Sequence, residues 1–379
     1  MKIVIAPDSF KECLSAQEVA SHIASGIRNI VPNAEIYEIP ISDGGEGVLE
    51  ALINGVGGRR ISVSVMDPLM RQIKAEYGIL KDEKTAVIEM AKASGLELLK
   101  EHEKNPLLTT TFGTGQLIKD ALDKGCTKII IGIGGSATND GGAGMVRALG
   151  AKFLDDKGEE IPEGGGGLER LKTLDLSNFD KRIQNCEVVV ACDVSNPLTG
   201  EKGASMVYGG QKGGSKQDLE FLDSNLAHYA NRIKANLGID ISHIPGAGAA
   251  GGTGAGLMAF LEGKLVNGIE LILQTIKIEE FIKQADLVFT GEGKIDGQTL
   301  HGKTISGIAA MSKKHKVPVI VITGKIGDGI EEIYNLGVNA VFSIVNQPME
   351  LRQAMDQAPE LIRNCSKNIM AAIMCTNKN

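Results

Sequence analysis

The chain has 379 residues, 42% of them hydrophobic and 23% charged, the balance of a globular protein long enough for two domains. A net charge of −7 without a lysine/arginine block gives no footprint for nucleic acid. No Trp and only 4% aromatic residues argue against a stacking surface for bases or sugars, and no apolar run nears the ~20 residues of a membrane-spanning helix.

Met1 leads straight into a strand-like run, so no signal peptide and a cytoplasmic location are expected. The six cysteines show no C-x-x-C and are expected to be reduced and mostly buried. The six histidines show no H-x-x-x-H or H-E-x-x-H, which makes a zinc site a poor fit. Glycine is abundant, with 48 residues gathered in clusters, where a backbone turns sharply or approaches a ligand.

In chain order, Lys2–Ala6 (KIVIA) predicts a strand running into Pro7-Asp8-Ser9-Phe10-Lys11. Ser15 with Glu18 reads as a capping box opening a helix to about Asn29. A second strand, Glu35–Ile39, ends in the acidic glycine loop 40–47, followed by a helix. From Arg59 the pattern changes. Ile61–Val65, Ile73–Leu80 and Thr85–Met90 predict an antiparallel meander, so a domain boundary falls near residue 60. Helices are expected at Ala91–Leu99 and Gly115–Lys124, the second preceded by Thr109–Thr111, which reads as capping chemistry.

Lys128–Ile133 predicts a central strand. The run Gly132-Ile-Gly134-Gly-Ser-Ala137 fits a loose dinucleotide fingerprint, with Asp155 and Asp156 about 20 residues on. Against that reading, loop-forming residues follow where a helix should begin, and a helix from about Asp140 to Leu149 is expected instead. Residues 155–167 read as a surface loop. Glu187–Ala191 predicts a buried strand that delivers Asp193 at its end, a common place for a Mg²⁺ carboxylate. A long helix is expected from Asp218 to about Leu237. The cluster 245–256 opens a helix and reads as a phosphate cradle.

Near the C-terminus, Leu287–Phe289 predicts a strand followed by a charged glycine-rich loop. Gly297–Thr304 formally fits G-x-x-x-x-G-K-[ST], but Gly291–Asp296 separate it from the strand, so a glycine turn before a helix at Thr304–Lys314 is the better reading. Val317–Thr323, a helix at Gly327–Leu336, the strand Ala340–Val345 and helical residues 349–375 complete the pattern. βα alternation at both ends brackets a different middle. The expected architecture is α/β with two domains: a parallel-sheet domain of residues 1–60 plus 275–379, and an inserted mixed-sheet domain of residues 61–274, with the ligand in the cleft between them.

Seven motifs in order, APDSFK (6–11), PISDGGEG (40–47), GIGGSATNDGGAG (132–144), CDVSNPLTG (192–200), YGGQKG (208–213), GAGAAGG (246–252) and TGEGKIDGQT (290–299), resemble the bacterial type-I glycerate kinases. The resemblance implies a flavodoxin-like domain and a second domain of restriction-endonuclease-like topology. It implies transfer of a phosphoryl group from ATP to D-glycerate with Mg²⁺, normally giving 2-phosphoglycerate, with 3-phosphoglycerate the other product to consider. A nicotinamide-dependent oxidoreductase using residues 132–137 is the runner-up. The family usually carries Ser or another small polar residue at the position of Gly297, so the nucleotide-loop match looks incidental.

Phosphoryl transfer mainly needs positioning and charge neutralisation. On that basis the expected catalytic residues are Asp43, Asp193 and Lys11, with Asp193 also the expected metal ligand. Asp8, Ser9, Ser136, Asn139, Lys294 and Asp296 are candidates for substrate binding. Gly251, Gly252, Thr253, Gly254 and Lys303 are candidates for the ATP phosphates. D-Glycerate is the expected partner, with no nucleic acid or membrane. A homo-oligomer is compatible with the sequence, which does not specify it.

Overall fold

The computed structural model describes residues 1–41, 47–300 and 304–376. In chain order its strands are β1 (Lys2–Ile5), β2 (Glu35–Glu38), β3 (Gly58–Met66), β4 (Gln72–Leu80), β5 (Thr85–Glu89), β6 (Lys128–Gly132) and β7 (Lys152–Leu154). They continue with β8 (Thr173–Asp175), β9 (Glu187–Ala191), β10 (Lys264–Val266), β11 (Leu287–Ile295), β12 (Val319–Ile326) and β13 (Ala340–Ser343). The fold is α/β. The chain divides into two compact units, Met1–Asp43 with Glu50–Val56 and Ile269–Asn379, and Gly44–Leu49 with Gly57–Gly268.

The first unit holds a five-stranded sheet in the order β13-β12-β11-β1-β2, parallel throughout. Counted within the unit this is the order 2-1-3-4-5 of a flavodoxin-like sheet, whose direction of winding reverses between β1 and β11. Ile3, Ile5, Phe289 and Ile322 bury one face of it against Ile23 and Ile27 of the helix Ala16–Arg28 and against Ile362. That helix begins with the expected capping box of Ser15 and Glu18.

Strand β11 is longer than its apolar start suggests. Gly291–Ile295 continue the ladder opposite Ile322–Ile326 of β12, although their glycines and charges read as a loop. A Cβ at Gly291 would lie 1.9 Å from the Ile322 carbonyl oxygen, so glycine there serves the close approach of two strands. The predicted helix at 327–336 shrinks to Ile333–Leu336.

The second unit holds a mixed six-stranded sheet, β10-β9-β6-β5-β4-β3. Strands β3, β4 and β5 form the expected antiparallel meander, and β5, β6, β9 and β10 run parallel. β7 and β8 form a separate two-stranded ribbon. Isoleucines 129 and 131, Val188 and Val190 anchor one core with Leu117, Met145, Tyr229 and Leu257.

Two expectations are corrected here. Gly164, Gly165 and Gly167 are buried, not part of a surface loop. Of the six cysteines, all free, only Cys126 is buried; Cys375 is exposed and the rest are half-buried. No helix among the described residues is long and apolar enough to cross a membrane.

Candidate active site

In the second unit the carboxyl ends of the neighbouring parallel strands β6 and β9 open into a cavity of about 220 Å³. The continuation of β6 supplies Gly134, Gly135 and Ser136; that of β9 supplies Cys192, Asp193 and Val194. Tyr208, Gln211 and Lys212 come from the glycine-rich run 208–213, and Ala249 and Ala250 close the wall. The ends of parallel strands are where loops can gather polar groups without interrupting the sheet.

Asp193 is exposed but not loose. Its Oδ1 accepts from the Asn267 side-chain amide at 2.8 Å and from the Gly268 backbone N–H at 2.9 Å. Cys192 beside it donates its thiol to the Val194 carbonyl, and burial pushes that thiol's pKa up, so it is a poor nucleophile. Tyr208 donates its hydroxyl to Asn196 at 2.7 Å, which ties the loop after Asp193 to the helix Ala204–Tyr208.

Lys212 is 2% exposed. Its ammonium donates to the Ser136 hydroxyl at 2.8 Å and to the Thr138 carbonyl at 2.6 Å. Burial pulls its pKa down to about 7, with the negative charge of Asp140 opposing the shift. Lys212 is not among the residues that the sequence alone marks for the site. The only signal was a lysine enclosed by glycines in YGGQKGG, and a lysine is ordinarily solvated.

Behind the cavity lies a polar network centred on Asp140, in which the Arg147 Nε has no hydrogen-bond partner among the described residues. The Asp140 carboxylate accepts from the backbone N–H groups of Thr111, Gly142 and Gly144 and from the Thr111 hydroxyl. Thr110 donates to Glu163 at 2.6 Å, and Glu163 pairs with Arg147 at 2.8 Å. Burial raises the Glu163 pKa, and Arg147 opposes the rise. Thr109–Thr111 therefore hold the scaffold together.

Asn139, expected at the substrate, is wholly buried and donates to the Ser205 hydroxyl at 2.9 Å; it stands behind the cavity wall. The expected phosphate cradle also has an internal explanation. Gly251, Gly252, Thr253 and Gly254 are buried, and Gly251 has φ +67°. A Cβ on Gly251 would lie 1.9 Å from the Thr138 carbonyl oxygen. These glycines let the helix start pack against residues 138–141, while Ala249 and Ala250 face the cavity.

The dinucleotide fingerprint fails on geometry. The helix after β6 starts only at Ala143, and Asp155 accepts from the N–H groups of Lys157 and Glu159 in its own turn.

In the first unit Asp8 follows β1 at the point where the winding reverses. Its Oδ1 accepts from the Ser9 backbone N–H, and its Oδ2 accepts from the Thr304 hydroxyl at 2.8 Å. Lys294 pairs with Asp296 at 2.6 Å near the end of β11, and Thr299 donates to Glu292. Lys11 is exposed. Asp43 and Lys303 lie outside the described residues. No group of three or more His, Cys, Asp or Glu placed to hold a metal ion occurs among the described residues.

The model of the glycerate kinase family matches residues 3–374. The chain belongs to this family. It is 51% identical over 377 residues to a glycerate kinase of Halalkalibacterium halodurans, covering 100% of this chain and 99% of that one. It is 50% identical to the glycerate 2-kinase of Escherichia coli K12 over 379 residues, with both chains covered in full. A crystal structure assigned as glycerate kinase 2 from Salmonella typhimurium LT2 superposes over the whole of both chains with a TM-score of 0.92 at 47% identity. Family membership makes the chain a kinase and does not favour the oxidoreductase reading.

Proposed function

We propose that this chain transfers the γ-phosphoryl group of ATP to the 2-hydroxyl of D-glycerate, giving 2-phosphoglycerate and ADP. The observation that carries the reading beyond family membership is an oriented, exposed carboxylate, Asp193, on the wall of a small cavity at the ends of two parallel strands. In the proposed step the hydroxyl oxygen bonds to the γ-phosphorus as the bond to the β–γ bridging oxygen breaks. The hydroxyl proton passes to Asp193, and ADP leaves with the bridging oxygen. Hydrogen bonds from Asn267 and Gly268 hold the carboxylate in one orientation, which is the positioning that phosphoryl transfer needs.

Mg²⁺ would enter with the nucleotide and neutralise phosphate charge. Such an ion keeps several waters and needs only one or two protein carboxylates, and the solvent-facing Asp193 fits as one of them. Asp8, Ser9, Lys294 and Asp296 are proposed as further ligand contacts in the first unit.

The test is an ADP-release assay with D-glycerate, ATP and Mg²⁺, followed by phosphorus NMR of the product. A 2-phospho signal supports the reading. A 3-phospho signal moves the acceptor to the other hydroxyl, and no turnover on D-glycerate sinks the proposed substrate. Asp193→Asn assayed across a Mg²⁺ series separates the two roles of the residue. Recovery at high Mg²⁺ marks a metal ligand, and loss that Mg²⁺ does not restore marks the proton acceptor.

A further inference from the structure

A fully buried ammonium is rare unless a carboxylate pairs with it. Lys212 has no such pair. Its two acceptors are a hydroxyl and a backbone carbonyl, so one of its three N–H donors has no partner among the described residues. The acid nearest in effect is Asp140. Among the described residues the Asp140 carboxylate accepts from Thr110, Thr111, Gly142 and Gly144. The other ionisable groups on the cavity wall are Asp193, Cys192 and Tyr208. None of them hydrogen-bonds to Lys212, whose partners among the described residues are Ser136 and Thr138.

The ammonium is held in place by design of the chain around it. It closes a short 3-10 turn, Gly210–Lys212, and donates to both Ser136 and Thr138 on the loop after β6. The cavity it lines is small. At about 220 Å³ it falls below the roughly 300–1,000 Å³ of pockets that enclose drug-sized ligands. That suits a three-carbon acid better than a whole nucleotide.

We infer that Lys212 is the residue that anchors the carboxylate of the hydroxy-acid substrate, its third N–H donor completing a charge pair inside the cavity. The inference rests on the proposed kinase reading. Bound there by its carboxylate, the acid presents its hydroxyl to the same cavity wall that carries Asp193. In the unliganded protein the Lys212 nitrogen has no carboxylate partner, and the substrate anion supplies one. The alternative source of the same chemistry is a phosphate oxygen of the nucleotide.

The experiment compares wild type with Lys212→Met, which conserves bulk and removes charge, and with Lys212→Ala, which leaves room for a small amine. Wild-type turnover of D-glycerate is measured first; its absence would remove the kinase reading without bearing on Lys212. Given that turnover, Lys212→Met should raise the KM for D-glycerate at least 30-fold and change the KM for ATP less than threefold. Methylammonium should restore glycerate affinity to Lys212→Ala and do nothing for the wild type. Melting temperature provides the structural control, because removing an unpaired buried charge should leave it unchanged or raise it. A rise confined to the KM for ATP would assign the ammonium to the nucleotide and overturn the inference. Unchanged KM values with a lowered melting temperature would make Lys212 a structural residue and overturn it equally.

Discussion

Two polar clusters in the second unit meet on the loop after β6, one around Asp140 and one around Lys212 and Asp193, and differ in character. Around Asp140 the carboxylate is surrounded by donors and Glu163 has its arginine, although the adjoining Thr138 hydroxyl, Asn139 Oδ1 and Arg147 Nε have no hydrogen-bond partner among the described residues. Around the cavity the groups are held but incompletely matched: Lys212 has two acceptors for three donors, and Asp193 is exposed. A satisfied buried network rigidifies a fold. An unsatisfied one costs stability and persists where a ligand completes it.

The largest expected effect that would sharpen this contrast is on turnover. Asp193→Asn should lower kcat by about 10²–10⁴-fold if it takes the hydroxyl proton, with a melting temperature close to wild type because the side chain is exposed. Steady-state kinetics beside thermal melts check both halves. The mirror experiment is Asp140→Asn. It leaves buried N–H donors facing an amide, at about 1–3 kcal/mol each, so the urea midpoint should fall markedly. Turnover per folded molecule should change far less than in Asp193→Asn. If Asp140→Asn is as stable as wild type, the distinction between scaffold and site fails.

Gly251→Ala comes next. A left-handed φ and a Cβ 1.9 Å from a carbonyl oxygen should cost about 2–4 kcal/mol, read from denaturant unfolding. A pH effect is smaller and has a definite sign. The Lys212 pKa is about 7 in the folded protein against an ordinary 10.5. The unfolded chain therefore binds a proton that the folded chain releases between those values. Stability from this group rises with pH through that window, by up to ~1.4 kcal/mol per unit, and the unfavourable charge is fully present below pH 7. Lys212→Met should flatten that slope relative to wild type in urea titrations at pH 7 and pH 9. The smallest effect is expected at Gly210→Ala, where a Cβ meets nothing within 4 Å; a change beyond about 0.5 kcal/mol would contradict the packing described for that turn.

Local rules made much of this molecule readable. KIVIA is strand because its branched residues fit a buried sheet, and Ser15 with Glu18 starts a helix because each satisfies the other's backbone. The meander, the central strand 128–132 and the carboxylate at the end of β9 were legible in the same way. What escaped depends on neighbours far along the chain. Gly291–Ile295 look like a loop until β12 pairs with them. Gly251 and Gly252 look like a ligand cradle until residues 138 and 141 occupy the space. Thr109–Thr111 look like caps until Asp140 and Glu163 arrive. Lys212 could not be found by composition at all, because burial is a property of the packed chain and lysine is a solvated residue by habit.

The strand order of the first unit sets a timetable for biosynthesis. Its strand β1 pairs with β11, and the Lys2 backbone N–H donates to the carboxylate of Asp286, 284 positions further along the chain. At about 5–20 residues per second, β1 leaves the ribosome roughly 15–60 s before that partner exists. The second unit, almost wholly contiguous from Gly57 to Gly268, is complete within that interval. The order of folding should therefore be inside out: the middle of the chain acquires protease resistance first. Ribosome-bound chains stalled near residue 300 should show a resistant core of the second unit with a still-cleavable N-terminal segment, so a chaperone that binds apolar strands meets β1 and β2 before their sheet can close.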